Sequence, residues 1–233
     1  AEELPSSVLA AVRDPSRSAE DRARDVPRRA FETLVFAQVR PGQTVVDFWP
    51  GGGYFTRLLS RAVGPTGKVY AIQPKELEPL GPRFAERLAA LGADPATPNV
   101  TPLSQLTGEF EPPEPVDLIF TAQNYHDFYL SRLQGLSTEA FNARAFRALK
   151  PGGVYLIVDH VAPAGSPLSV ADTLHRIDPE VIKREVTAAG FVFEGELNVL
   201  RRSDDDYSLS VFDPKIRGET DQVIYRFRKP RGR

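Results

Sequence analysis

Short β-branched or aromatic runs alternate with helical stretches of about ten residues along most of the chain, which predicts an α/β fold: a parallel sheet with helices on both faces. Two further observations agree. Runs such as Val116-Asp117-Leu118-Ile119-Phe120 and Val154-Tyr155-Leu156-Ile157-Val158 are almost continuously apolar, as strands buried on both sides are. The 233 residues, 41% hydrophobic and 26% charged, are enough for one full core and speak against disorder or a fibrous repeat.

Residues 1–26 are polar, broken by Pro5 and Pro15, and read as an N-terminal arm with one or two short helices. Residues 27–233 read as a single domain. Phe31, Leu34, Val35 and Val39 recur at helical spacing between Pro27, which suits a first turn, and Pro41-Gly42, which stops the run. There follow strand Thr44–Phe48, helix Tyr54–Val63, strand Lys68–Ile72, helix Pro82–Leu91, a strand near Val100, strand Asp117–Thr121, helix Thr138–Leu149 and strand Val154–Asp159. Helix Pro179–Ala189 has Asp178 as N-cap, Pro179 in its first turn and Gly190 past its end. Two last strands, Phe191–Val199 and Gln222–Arg228, flank a polar segment containing Asp204-Asp205-Asp206, read as a solvated turn because the alternating spacing of a calcium loop is missing. The long connection 161–177 is a place to look for function.

Composition removes several classes. With no Cys there is no disulfide framework, thiolate nucleophile or Cys-ligated metal, so a metal would rest on His, Asp and Glu. A net charge of −2 without a basic stripe gives no reason to expect a nucleic-acid partner. The apolar runs fall far short of the ~20 residues that span a bilayer. The chain has no Met and opens at Ala1-Glu2-Glu3, which reads as the start left by cleavage of an export signal; the other reading is a Met-poor sequence trimmed at its start. Oligomeric state has no signature in the sequence.

The most specific stretch is Val45-Val46-Asp47-Phe48-Trp49-Pro50-Gly51-Gly52-Gly53-Tyr54, a strand entering a glycine-rich turn that opens a helix. Such a turn brings bare backbone close to a ligand at a helix N-terminus. The next strand ends at Gln73, about 20 residues on, where a ribose-binding side chain is expected. This order resembles the class I S-adenosylmethionine-dependent methyltransferases, whose first motif reads roughly acid-x-Gly-x-Gly-x-Gly; Asp47, Gly51 and Gly53 match it. Leu149-Lys150-Pro151-Gly152-Gly153 resembles the turn before that family's fifth strand, and Pro50-Gly51-Gly52-Gly53-Tyr54 with Gln123-Asn124-Tyr125-His126-Asp127 resembles a bacterial branch known only as predicted methyltransferases.

The resemblance implies a Rossmann-like seven-stranded sheet of order 3-2-1-4-5-7-6, its last strand antiparallel between the fifth and sixth. It also implies S-adenosylmethionine bound by Asp47, Trp49, Gly51, Gly52, Gly53, Gln73 and Gln123, with Tyr125 completing a pocket that Trp49 covers. Two residues depart from the family. Trp49 stands at its first glycine, and because an indole at positive φ is disfavoured, either the loop takes another path or the ring covers part of the pocket. Gln73 replaces the ribose-gripping acid; a neutral bond contributes about 1 kcal/mol against about 1.5–3 for a charged one, a loss of roughly three- to thirtyfold in affinity.

All three histidines, His126, His160 and His175, fall in connections on the carboxyl side of the strands, where open parallel sheets bind ligands. Three readings are open. His126 is a general base oriented by Asp127 or Asn124, with Tyr125 and Asp127 beside the acceptor; or His126, His160 and His175 with Asp159 hold a divalent metal; or the rings are hydrogen-bonded fixtures of the long loop. Arg176 is expected to pair with a neighbour. The function that follows is methyl transfer from S-adenosylmethionine to a small molecule. Its rival is a non-catalytic, exported, metal- or ligand-binding protein on the same fold.

Overall fold

The computed structural model describes residues 5–232; Ala1-Glu2-Glu3, on which the expectation of export rests, lies outside the described residues. Seven strands form one sheet: β1 (Thr44–Phe48), β2 (Lys68–Pro74), β3 (Val100–Gln105), β4 (Val116–Ala122), β5 (Leu149–His160), β6 (Val192–Glu196) and β7 (Gln222–Arg228). Their order is β3-β2-β1-β4-β5-β7-β6, with β7 antiparallel to both neighbours and the remaining pairs parallel. The expected fold class and strand order are both present.

The helices are α1 (Ser6–Arg13), α2 (Ala19–Ala23), α3 (Asp25–Arg28), α4 (Ala30–Phe36), α5 (Tyr54–Val63), α6 (Arg83–Ala93), α7 (Thr138–Ala148), α8 (Val170–Leu174) and α9 (Pro179–Ala188). Because side chains alternate across a strand, each strand serves two layers. Phe48, Ile119, Ile157 and Tyr225 pack with Phe141 of α7 and Ile182 of α9. Val45, Leu118, Leu156 and Ile224 pack on the other face with Leu34 of α4 and Leu58 and Leu59 of α5. Among the described residues no helix is long and apolar enough to cross a membrane.

The structure departs from the sequence expectation at several elements. The helix expected from Pro27 is broken at Arg29, whose left-handed backbone (φ 47°) separates α3 from α4. β5 starts at Leu149, drawing the Lys-Pro-Gly-Gly turn into the strand, whereas the sixth strand is shortened to Val192–Glu196. The N-terminal segment is tied down: Val8 and Ala11 are buried against the α4–α5 layer, and Arg57 and Arg61 of α5 pair with Asp21 and Asp14. Asp205 is not solvated. Its carboxylate forms a bidentate pair with the fully buried Arg176 (2.8 and 3.0 Å) and accepts the backbone N–H groups of Tyr207 and Asp221. Arg176 has the expected partner, and an unpaired guanidinium at that depth would not be tolerated.

Candidate functional site

A cavity of about 520 Å3 opens at the carboxyl ends of β1, β4 and β5. Its floor is the turn after β1. Trp49 (φ 63°), Gly51 (φ 57°) and Gly53 (φ 83°) all take left-handed backbone, so Trp49 adopts a conformation that glycine usually supplies. The strained indole is held by packing: its ring meets Phe48 and Phe128 edge-on at 6.2 and 6.1 Å, and its N–H backbone donates to Ile72 O. A Cβ at Gly51 or Gly52 would meet nothing within 4 Å, so the backbone there borders open space. At Gly53 (φ 83°) a Cβ would meet the ends of the Leu91 and Arg57 side chains, at 2.2 and 2.8 Å, and, contrary to expectation, this glycine does not line the cavity.

Asp47 reaches the cavity from β1 and accepts a hydrogen bond from Thr56 Oγ1 at 2.6 Å. Burial pushes its carboxyl up to about 7, a rise that the Thr56 bond and the nearby Arg28 charge only partly offset. Arg28 lies over the Tyr54 and Phe55 rings and donates to Gln123 Oε1 at 3.1 Å. Burial pulls this guanidinium down to about 10, and the Arg24 charge adds to the effect. Gln123, itself at φ 65°, passes the contact on to Gln222 of β7 at 2.9 Å.

Two expected site residues are turned elsewhere. Tyr125 is in the core: its hydroxyl donates to Glu185 of α9 (2.8 Å) and accepts from Asn142 of α7 (2.9 Å), and it does not line the cavity. The short helical turn Tyr125–Tyr129 sends Tyr125 inward while His126 and Asp127 face the cavity. Gln73 is also buried and outside the lining, with its Nε2 lacking a partner among the described residues.

The histidines do converge. His126 is buried, its Nδ1 2.8 Å from Asp159 Oδ1, its Nε2 3.3 Å from His175 Nδ1 and 3.2 Å from Asp127 Oδ1. Burial alone would lower its pKa, but the Asp159 and Asp127 carboxylates outweigh that and raise it to about 10. Asp127 is likewise penalised by burial, yet its bonds to His126, His175 and Asn124 hold it well below the usual carboxylate range. His160 stands apart from this set: its Nδ1 is engaged by Thr220 Oγ1 at 2.7 Å, and burial pushes the imidazole well below its ordinary value. Both ring nitrogens of His126 are thus engaged within the cluster, Nδ1 by Asp159 and Nε2 by Asp127 and His175.

Sequence reasoning missed the arginines of the cavity. Arg24, Arg28, Arg83, Arg87 and Arg132 line the cavity against two carboxylates, Asp47 and Asp127. Among the described residues none of these five guanidiniums forms an ion pair. A signal was available: 24 and 28, and 83 and 87, are i, i+4 pairs, which place two charges on one helical face.

A mixed seven-stranded sheet of this order, with its cavity beyond the carboxyl ends and a glycine turn opening the first helix after β1, is the class I methyltransferase fold. No protein-family model matches the chain. The chain is similar in structure to a SAM-dependent methyltransferase from Aquifex aeolicus (23% identity, TM-score 0.57, covering 96% of this chain and 97% of that one). It is also similar to the glycopeptide N-methyltransferase MtfA solved with S-adenosylmethionine (15%, TM-score 0.56, 85% and 86%). A third likeness is to Aeropyrum pernix fibrillarin with natively bound S-adenosylmethionine (14%, TM-score 0.54, 88% and 76%). At these identities the likeness establishes the fold.

Proposed function

We propose that this chain binds S-adenosylmethionine at the turn after β1 and transfers its methyl group to a small acceptor that carries negative charge. The observation that carries the reading is the left-handed turn Trp49–Gly53, which bares Gly51 and Gly52 to the cavity at the start of α5. Asp47, Trp49, Gly51, Gly52 and Gln123 would hold the cofactor. The open space over Gly51 and Gly52 fits it, whereas Gln73 makes no contribution to the wall. When bound, the cofactor supplies a sulfonium methyl carbon that a nucleophile takes as the C–S bond breaks, with the electron pair staying on sulfur.

The chain's own task is then alignment and charge. The five arginines would hold the acceptor's anionic group and favour its ionised form, so the nucleophile arrives already deprotonated and needs no base from His126. Leu77, Leu80, Phe84, Leu130 and Leu133 border the same space and exclude water from it. Trp49, the chain's single tryptophan, is the natural reporter. S-adenosylhomocysteine should change its emission and release or absorb heat in calorimetry; an unchanged spectrum with no heat at millimolar ligand sinks the reading.

A second reading, a non-catalytic binder of an anionic ligand, is favoured by the unpaired arginines together with the neutral Gln73 lying outside the wall. Binding of pyrophosphate without binding of S-adenosylhomocysteine would select it.

A further inference from the structure

We propose that His126 Nε2, His175 Nδ1 and Asp127 Oδ1 form a divalent transition-metal site whose open positions face the cavity. The three atoms come from the turn after β4 and the end of α8, and they all lie within 4.8 Å of one another. Zinc-type bonds of about 2.0–2.2 Å meeting at 90–109° place neighbouring donor atoms roughly 2.9–3.5 Å apart. Two edges of the triangle, 3.2 and 3.3 Å, fall in that range, and the third, 3.9 Å, would close by about half an ångström on binding.

The same distances are poor as hydrogen bonds. A buried imidazolium facing a carboxylate closes to about 2.7–2.9 Å. Here Nε2 is 3.2 Å from one acceptor and 3.3 Å from another, with at most one proton to divide between them. The supporting shell is also that of a metal ligand. The fully buried Asp159 accepts from His126 Nδ1 at 2.8 Å and from the His126 backbone N–H at 2.7 Å, which fixes the ring and presents Nε2 as the ligating nitrogen. Asn124 Nδ2 holds Asp127 Oδ2 at 3.0 Å, leaving Oδ1 for the ion. His175 sits at φ 54°, a strained backbone for a residue other than glycine, with its ring braced 4.7 Å from Phe212. All three donors line the cavity, so ligand or water oxygens could complete the coordination. Two imidazoles and a carboxylate with open positions suit zinc, iron, cobalt or manganese. His160, expected in the set, is not among the donors that lie within 4.8 Å of one another, and Asp127 takes its place.

The site is independent of the methyl-transfer reading, and the test uses neither cofactor nor activity. The chelator-stripped chain is titrated with cobalt(II) chloride and followed by visible absorption and calorimetry. One equivalent should bind with d–d bands characteristic of nitrogen and oxygen ligation. His175→Ala and Asp127→Asn, each checked for native circular dichroism, should weaken binding by about tenfold or more, and Asp159→Asn by about 10–100-fold. His160→Gln should leave affinity within about twofold. Absence of stoichiometric binding, or binding unchanged in both His175→Ala and Asp127→Asn, overturns the proposal and leaves a hydrogen-bonded cluster only.

Discussion

Arg24, Arg28, Arg83, Arg87 and Arg132 line the cavity with no carboxylate partner among the described residues, while His126, Asp127, Asp159 and His175 close on one another. Three of the guanidiniums rest on rings instead, Arg24 over Tyr54 at 4.8 Å, Arg28 over Tyr54 at 5.0 Å and Arg83 over Phe84 at 4.8 Å. Desolvation explains the difference. Arg83, Arg87 and Arg132 are exposed and keep their water, so an unpaired charge there costs little. His126 and Asp159 have no water, so each buried charge must be matched by a neighbour. The arginine wall is therefore free to take a ligand, and the histidine wall also supports the fold.

The sharpest way to break this contrast is Asp159→Ala. That carboxylate accepts the backbone N–H groups of His126 and His160 as well as His126 Nδ1, so its loss strands a buried cation and two amides. Urea denaturation should show a loss of about 3–5 kcal/mol. A loss below about 1 kcal/mol would mean that the histidine wall is no more structural than the arginine wall.

Asp47 lines the same cavity and its effect depends on pH. Its folded pKa of about 7 stands above the ordinary 3.8, so the native state holds this proton more tightly than the unfolded chain does. Its contribution to stability is fully present below about pH 4 and is lost as pH rises through 7. Asp47→Asn removes the titration, so the variant's stability relative to the parent should rise by about 2–3 kcal/mol between pH 5 and 8 and then level off. Paired denaturation curves at pH 5 and 8.5 measure this; a difference independent of pH would show that Asp47 titrates normally.

At the floor of the cavity, Trp49→Gly tests strain against packing. Glycine relieves about 1–2 kcal/mol of left-handed strain, but losing a buried aromatic side chain costs about 3–5 kcal/mol. A net loss of about 2–3 kcal/mol is expected in chemical denaturation. A gain in stability would show that the ring contributes little and that the strain dominates.

These residues also show where the sequence was legible. The sheet was, because strand and helix periods differ and the central strands β1, β4 and β5 carry apolar runs; Thr44–Phe48, Tyr54–Val63 and Gln222–Arg228 have the expected bounds. The glycine turn was legible because left-handed backbone leaves a compositional trace, although Trp49 shows that a well-packed side chain can occupy the same conformation. The direction of Tyr125 was not, since it depends on Glu185 and Asn142, partners distant in sequence that no local pattern announces. The direction of His160, whose Nδ1 bonds Thr220 sixty positions on, likewise has no local signature. The arginine wall gathers three separate segments, and only its i, i+4 halves had a local signature.

The smallest effect on stability belongs to Arg83→Ala and Arg87→Ala, and it is the most informative about the ligand. Both side chains are exposed on α6 and neither forms an ion pair among the described residues, so each substitution should change unfolding free energy by no more than about 0.5 kcal/mol. If their charges serve an anion in the cavity, each removes a charge-assisted contact of about 1.5–3 kcal/mol, equivalent to roughly 10–100-fold in affinity. Pyrophosphate binding, followed by calorimetry at low salt, should fall by at least about tenfold in either variant and should weaken steeply with added salt in the parent chain. Arg→Lys at the same positions would retain the charge but lose the planar fork, so it should recover only part of the affinity. Equal pyrophosphate affinity in the parent and both alanine variants would remove the arginine wall from ligand recognition and reduce these side chains to solvated surface.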